Sequence, residues 1–484
     1  MKSARLLPLL CLVLAAAACA PDSKDGGRAA SGTGTSSAVS SGGPAALYAE
    51  AQKFGRGEGV PRDMRRAVAL LREAAAQGHV PAMNALGQIY SGGNGVPEDA
   101  REALRWYGQA AERGSADGHV GLAQLHRDGR GVPRDMARAA AHYRAAADKG
   151  KALAQYNLGV MYRDGEGVAK DAVEAVKWFR AGAAQNDAAA QYSLGVMYDG
   201  GRGVGRDPTE ARRWVTLAAE QGIAEAQFSL GQLYAFGQDV PQNWATALGW
   251  YRRAASQGLA DAQNAYAILL VQGLGGPKNA TEAVRWYRLA AEQGHSQGQH
   301  NLGLVYEEGN GVAKNMAEAA RWFRAAANQG NAGAQIKLAR MLANGDGLPK
   351  NDAEAARLYR AAADKGHPEG IFRLGTFHRD GRGVARDPAA AAKLFRTAAE
   401  YGHRLAQMNL VVVYAEGKGV ASDIAESYFW LLQVAAVEQR ESGKTSDATK
   451  EQGDLLRRDL TEARRRAIEE RARAWRPKPP PKTE

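Results

Sequence analysis

The chain has 484 residues, of which 45% are hydrophobic and 24% charged; it carries 57 glycines, 17 prolines, 2 cysteines and a formal net charge of +11. This apolar content excludes a disordered chain, two cysteines cannot build a disulfide framework, and beyond the N-terminus no run of ~20 apolar residues could span a bilayer. Length alone suggests about three globular domains, but a fixed internal period overrides that estimate.

The first predicted element is a targeting segment, 1–18. Lys2 and Arg5 precede 13 apolar residues, 6–18, too few to cross a membrane and right for the apolar region of a signal peptide. The run ends Ala16-Ala17-Ala18-Cys19, which resembles the lipobox of bacterial lipoproteins, with Ala16 where that pattern most often has Leu. The resemblance implies lipidation of Cys19, and Ala20 after it implies sorting to the outer membrane. The alternative is ordinary cleavage to a soluble periplasmic or secreted protein. Residues 19–44 are rich in Ser, Gly and Ala and read as a flexible tether of roughly 25–30 Å root-mean-square reach. With Cys11 in the signal and Cys19 at the anchor, the body of the protein has no thiol.

Next comes a period of 36 residues. Gly57, Gly93, Gly129, Gly165, Gly201, Gly237, Gly273, Gly309, Gly345, Gly381 and Gly417 are evenly stepped, and Asp or Asn follows each six residues later, from Asp63 to Asp423. In the sample unit 152–187, Ala154, Leu158, Met161 and Tyr162 have helical spacing, so a first helix (A) buries one face. Gly165 ends it in the left-handed conformation. Asp171 caps a second helix (B), with Glu174 at capping-box spacing, and Ala175, Trp178, Phe179 and Ala183 form its apolar stripe. Asn186 stands where the other units close on Gly. A single pair cannot bury its apolar face, but stacked pairs can. The predicted fold class is therefore all-α: an α-solenoid of eleven 36-residue helix-turn-helix repeats over 45–438, elongated to the order of 100 Å if helices pack ~8–10 Å apart.

The string Ala-Gln-Tyr-Asn-Leu-Gly-Val-Met-Tyr-Arg-Asp-Gly-Glu-Gly-Val at 154–168, followed by Ala175, Trp178 and Phe179, resembles the Sel-1-like repeat of the tetratricopeptide superfamily. Beyond it, 439–476 reads as a cap of two helices, 445–458 and 460–475, and 477–484 as an extended, solvated Pro/Lys tail.

Candidate chemistry does not survive the phasing. The Gly-x-Gly loops follow helices, whereas a dinucleotide loop follows a strand. His79, His295, His367 and His403 share one column, His126 and His378 another, and His142 replaces Trp in helix B; they read as repeat positions and not a converging site, so no metal or cofactor is expected. Some Sel-1-like proteins have been described as penicillin-binding or β-lactamase-like, but the chain has no Ser-x-x-Lys, and no enzymatic activity is expected. Seven of the nine tryptophans fall in one helix-B column and read as core. Charges are interspersed without a long basic run, which excludes a nucleic-acid partner.

The family resemblance implies that helix A lines a concave, ligand-facing surface. Its outward columns supply the candidate binding residues: Gln124, Arg127, Tyr156, Asn157, Arg163, Tyr192, Phe228, Gln232, Asn301, Lys337, Arg340, Arg373, Arg379 and Asn409. Lys337, Arg340, Arg373 and Arg379 lie on two consecutive A helices and form a candidate basic patch for an acidic segment; the alternative is ordinary solvated charge. The expected protein is a monomeric, exported scaffold for protein or peptide partners in the cell envelope, touching the membrane only through its lipid. The alternatives are an accessory factor or hydrolase acting on cell-wall material, and a secreted factor binding a host protein.

Overall fold

The computed structural model describes residues 43–479; the signal segment, Cys19, the tether up to 42 and tail residues 480–484 lie outside them. Among the described residues every regular element is a helix. They fall into two compact units that divide between Gln242 and Asn243.

The first unit contains α1 (Pro44–Arg56), α2 (Met64–Ala76), α3 (Val80–Gly92), α4 (Ala100–Glu112), α5 (Ala116–Asp128), α6 (Met136–Asp148), α7 (Ala152–Asp164), α8 (Ala172–Ala184), α9 (Ala188–Gly200), α10 (Pro208–Glu220) and α11 (Ala224–Phe236). The second contains α12 (Trp244–Ser256), α13 (Ala260–Gln272), α14 (Ala280–Glu292), α15 (Ser296–Glu308), α16 (Met316–Asn328), α17 (Ala332–Asn344), α18 (Asp352–Asp364), α19 (Pro368–Asp380), α20 (Pro388–Glu400), α21 (Arg404–Glu416), α22 (Ile424–Ser442), α23 (Asp447–Arg458) and α24 (Glu462–Ala474). Odd numbers up to α21 are A helices and even numbers up to α22 are B helices. Within each unit, the helices up to α23 pack on their neighbours in sequence, and α24 packs back on α22.

The pair α7 and α8 shows why these residues form these elements. Ala154, Leu158 and Met161 of α7 and Ala175, Trp178 and Phe179 of α8 are buried, whereas Tyr162 is only half-buried. The A helix carries Gly159 where the Phe179 ring lands: a Cβ there would lie 2.7 Å from the ring. In the loop, Gly167 presses on the preceding B helix; a Cβ would lie 2.1 Å from the carbonyl oxygen of Met136. The end of α8 is a Schellman turn, with Asn186 N–H donating to Ala183 and Asp187 N–H to Gly182. Asn186 takes the left-handed backbone that glycine takes in nine other repeats, at φ 63°.

The caps depart from expectation in one respect. Asp171 accepts from the N–H groups of Val173 and Glu174, but Glu174 does not return the bond. The N–H of Asp171 already donates to the carbonyl of Tyr162 at 2.9 Å, and the same nine-residue link recurs from Asp99 to Tyr90 and from Asp387 to His378. The freed glutamates turn along the helix surface instead. Glu102 and Glu210 accept from Trp106 and Trp214 Nε1 at 3.1 and 3.0 Å, and Glu174 pairs with Lys177.

The tryptophan column also divides. Trp106, Trp178 and Trp430 are buried, but Trp214, Trp250, Trp286 and Trp322 are half-buried, with arginine guanidinium groups over the rings of Trp214, Trp250 and Trp322.

At the C-terminal end, α23 and α24 pack on α22, and Leu456 and Ile468 join its core. The tail is not wholly solvated. Lys478 donates its backbone N–H to the Glu400 carbonyl at 2.8 Å and its ammonium to the Glu400 carboxylate at 2.6 Å; just before the tail, Trp475 of the cap meets Trp430 edge to face at 5.9 Å.

Candidate functional site

The outward columns of the A helices lie one repeat apart on successive helices of each unit, so they form continuous strips within it. In the first unit the strip is largely apolar. Tyr156, Tyr192 and Phe228, on α7, α9 and α11, are half-buried, as are Val160 and Val196 beside them, and Leu153 is 41% exposed. Tyr156 rests against Phe179 at 6.1 Å, and the Tyr192 hydroxyl lies 3.5 Å from Ser229 Oγ on α11. Gln124 and Gln232 are half-buried on the same face. The polar members are tied locally: Asn157 donates to its own helix at Leu153, Arg127 pairs with Asp128 and reaches the Tyr143 hydroxyl, and Arg163 pairs with Asp164.

In the second unit the face is charged, but its charges are already partnered. Lys337 on α17 sits 2.8 Å from Glu307 of α15, and Arg340 holds the other oxygen of the same carboxylate. Arg373 pairs with Glu369 at 2.6 Å. Arg379 pairs with Asp380 at 2.7 Å and donates to Asn409 of α21 at 2.9 Å. Asn301 bridges to Asn264 at 2.8 Å. The four expected cations are therefore matched by three carboxylates, and the structure brings Lys337 and Arg340 together on one of them. The expected patch carries little free positive charge.

Glu369 is the most constrained of these acids. His403 lies 2.7 Å from its second oxygen and stacks on Phe372 at 4.6 Å. The His403 hydrogen bond, followed by Arg373, holds the Glu369 carboxyl down at about 2. His403 Nδ1 in turn accepts the Ala406 N–H and so caps α21. His295 does the same between Gly298 and Asp261. These imidazoles thus serve as N-caps that bridge consecutive A helices.

Reading columns one at a time misses two features. One is the recurrence of partners 30 or 34 residues apart: Lys337 with Glu307 and Arg382 with Asp352 at the first spacing, Lys151 with Asp117 and His403 with Glu369 at the second. That offset is legible in the sequence once columns are compared in pairs. The other is a buried glutamine column. Gln155 donates to the Ala147 carbonyl at the end of α6 and accepts from Gln185 at the end of α8. Gln191, Gln263 and Gln299 repeat both bonds. At these four positions the column locks one helix pair to the next through amides bonded at both their nitrogen and their oxygen.

One expectation about histidine is overturned. His119, His126 and His142 do converge: His119 Nδ1 and His142 Nδ1 are 3.3 Å apart, and the rings of His126 and His142 stack at 5.6 Å. Positions 119 and 126 are seven residues apart on α5, two helical turns on one face, which brings both rings to the single helix-B position 142.

The comparisons with known proteins agree with this architecture. The Sel1 repeat model matches eleven times, at 45–79, 80–115, 116–151, 152–187, 188–223, 224–259, 260–295, 296–331, 332–367, 368–403 and 404–436. The chain belongs to the Sel1 repeat family. Among solved structures it is similar to c5321, described as a protective antigen present in uropathogenic Escherichia coli strains displaying an SLR fold. The identity is 32%, the TM-score 0.81, and the match covers 89% of this chain and 91% of that one. It is also similar to a Sel1 repeat protein from Oxalobacter formigenes, at 29% identity and TM-score 0.50 over 64% of this chain and 90% of that one. Among curated proteins, none matches significantly. A Sel1 repeat stack is a scaffold suited to protein–protein contacts.

Proposed function

We propose that the chain is a non-catalytic scaffold that binds a protein partner along the A-helix face of its first unit. The observation that carries this is the aromatic strip Tyr156, Tyr192 and Phe228, repeated on three successive A helices beside exposed Leu153. Rigid aromatic anchors in a row, with polar groups at the margins, suit a partner segment that contributes apolar side chains at matching intervals. On the second unit, taken by itself, an acidic segment binds by displacing Glu307 from Lys337 and Arg340. Export and lipidation at Cys19 complete the reading. They rest on residues 1–20, and the description of the similar E. coli protein as a protective antigen supports an exported location.

Photo-crosslinking from position 192 in intact cells tests the binding reading. A discrete protein adduct is expected, lost when Tyr156 and Phe228 are both replaced by Ala; recovery of glycan alone would overturn it. Glu307→Gln, which releases both cations, should strengthen capture of an acidic segment and leave a neutral one unchanged. Palmitate label lost in Cys19→Ala supports the anchor, and an unlabelled parent rules it out.

A further inference from the structure

In the repeat 116–151, three column residues change together. Gln stands in seven of the eleven repeats at the column of 119, Tyr in six at that of 126, and Trp in seven at that of 142; here all three are His. The three rings form one row. His142 of α6 lies in the middle, with ring centroids 5.5 Å from His119 and 5.6 Å from His126, both on α5. His126 is buried, 7% exposed, and its Nδ1 has no hydrogen-bond partner among the described residues. His119 and His142 are half-buried. A row is not a chelate: no group of three His, Cys, Asp or Glu among the described residues could hold a metal ion, and two stacked rings aim their lone pairs along parallel planes.

We propose that the seam between α5 and α6 is a proton-sensitive joint that opens in mild acid while the neighbouring helix pairs stay packed. The contact between His119 and His142 joins Nδ1 to Nδ1, so it needs one N–H and one lone pair. With both rings protonated, two N–H groups and two positive charges face each other at 3.3 Å. A charge on His126 would in turn stack on His142. The surrounding charges offer little relief. Lys149, just past α6, acts against protonation of His119, and Arg138 of α6 acts against it at His126 and His142; Asp135, the α6 cap, favours it at His126 alone. From α4, Tyr107 packs its ring on α5 at Gly121, and burial pushes its phenol up to about 12, so it brings no charge to α5. Among the charges acting on the three rings none belongs to α7. Burial is the largest cause at all three, and each imidazole sits below its ordinary value. Opened, the rings titrate normally. Each ring kept neutral in the closed seam then shifts the closed-to-open ratio by up to a factor of about ten per pH unit below roughly 6.5.

Hydrogen exchange read by mass spectrometry on the full chain tests this, at pH 7.5 and pH 5.0 with intrinsic rates corrected. Peptides from 116–148 should open at least tenfold more at pH 5.0, while those from 152–184 change little. The variant carrying His119→Gln, His126→Tyr and His142→Trp, each the residue its column holds elsewhere, should lose the difference. Uniform acceleration across repeats, or a difference retained in the variant, overturns the proposal. If the triple variant does not fold, His142→Trp alone is compared, together with imidazole titration by NMR of the parent. Three rings titrating independently near 6.5 would also overturn it.

Discussion

At the scale of single residues, the same amino acid does opposite things depending on what a methyl group would meet. Gly108 lies inside α4 with nothing within 4 Å of an added Cβ. Gly108→Ala should stabilise by about 0.5–1 kcal/mol, because Ala loses less backbone entropy in a helix. Gly159 faces the Phe179 ring at 2.7 Å, and there overpacking of about 1–3 kcal/mol outweighs the helix gain, so Gly159→Ala should destabilise. Thermal melts of the two variants should move in opposite directions. The glutamine column permits a second substitution argued from one atom. Gln335 and Gln407 each leave a buried Oε1 unpartnered. They are the members whose partner position holds Lys365 and Val437 instead of Gln. Gln329 shows what is missing, since its amide reaches both Gly294 O and Gln299 Oε1. Lys365 already reaches the Gly330 carbonyl, so Lys365→Gln should keep that contact, add the bond to Gln335 Oε1 and gain about 1 kcal/mol, with Gln329→Lys losing a similar amount in chemical denaturation.

At the scale of elements, every A helix is ended by a glycine and every B helix is begun by Asp or Asn, which is why helix positions were legible without coordinates. What escaped was the reciprocal half of the capping box. The N-cap N–H finds a carbonyl across the loop, a partner that no spacing within one helix reveals. The cap on the last repeat follows from one departure. Glu438 stands where the closing Gly would be, so α22 runs on to Ser442. Its buried carboxylate then accepts from the Ser446 N–H and hydroxyl, the Thr449 hydroxyl and Arg404. Glu438→Ala should leave these donors unmet and loosen α23 by about 2 kcal/mol. Exchange should rise in 447–458 and stay unchanged in 332–364; equal protection in both segments would contradict this role. No A helix follows α21, which accounts for the exposure of Leu405, Met408 and Val412 at 45%, 43% and 43% on its outward face.

At the scale of the whole molecule, the repeat fold was legible because eleven in-phase copies average out the noise of any one. The binding face was only half legible. Columns show which side chains point outward, but whether Lys337 is a free cation depends on Glu307, thirty residues back on another helix. The same cross-helix contacts give the second unit a definite acid response. Burial, aided by Lys337, holds His300 down to about 4, whereas the unfolded chain titrates near 6.5. As pH falls from 6.5 to 4 the unfolded state takes up that proton and the folded state does not, so stability drops by on the order of 3 kcal/mol and then levels off. Glu369, held at about 2 by His403 and Arg373, acts in a lower window. Its contribution is complete above about 4.5 and is lost as pH falls toward 2. His300→Phe, the residue its column holds at Phe228 and Phe372, should flatten the upper window relative to the parent. Glu369→Gln should flatten only the lower one. Urea midpoints at pH 7, 4.5 and 2.5 separate the two, because each substitution must change one interval and spare the other; a variant that shifts both intervals equally would mean its side chain acts through packing and not through its proton.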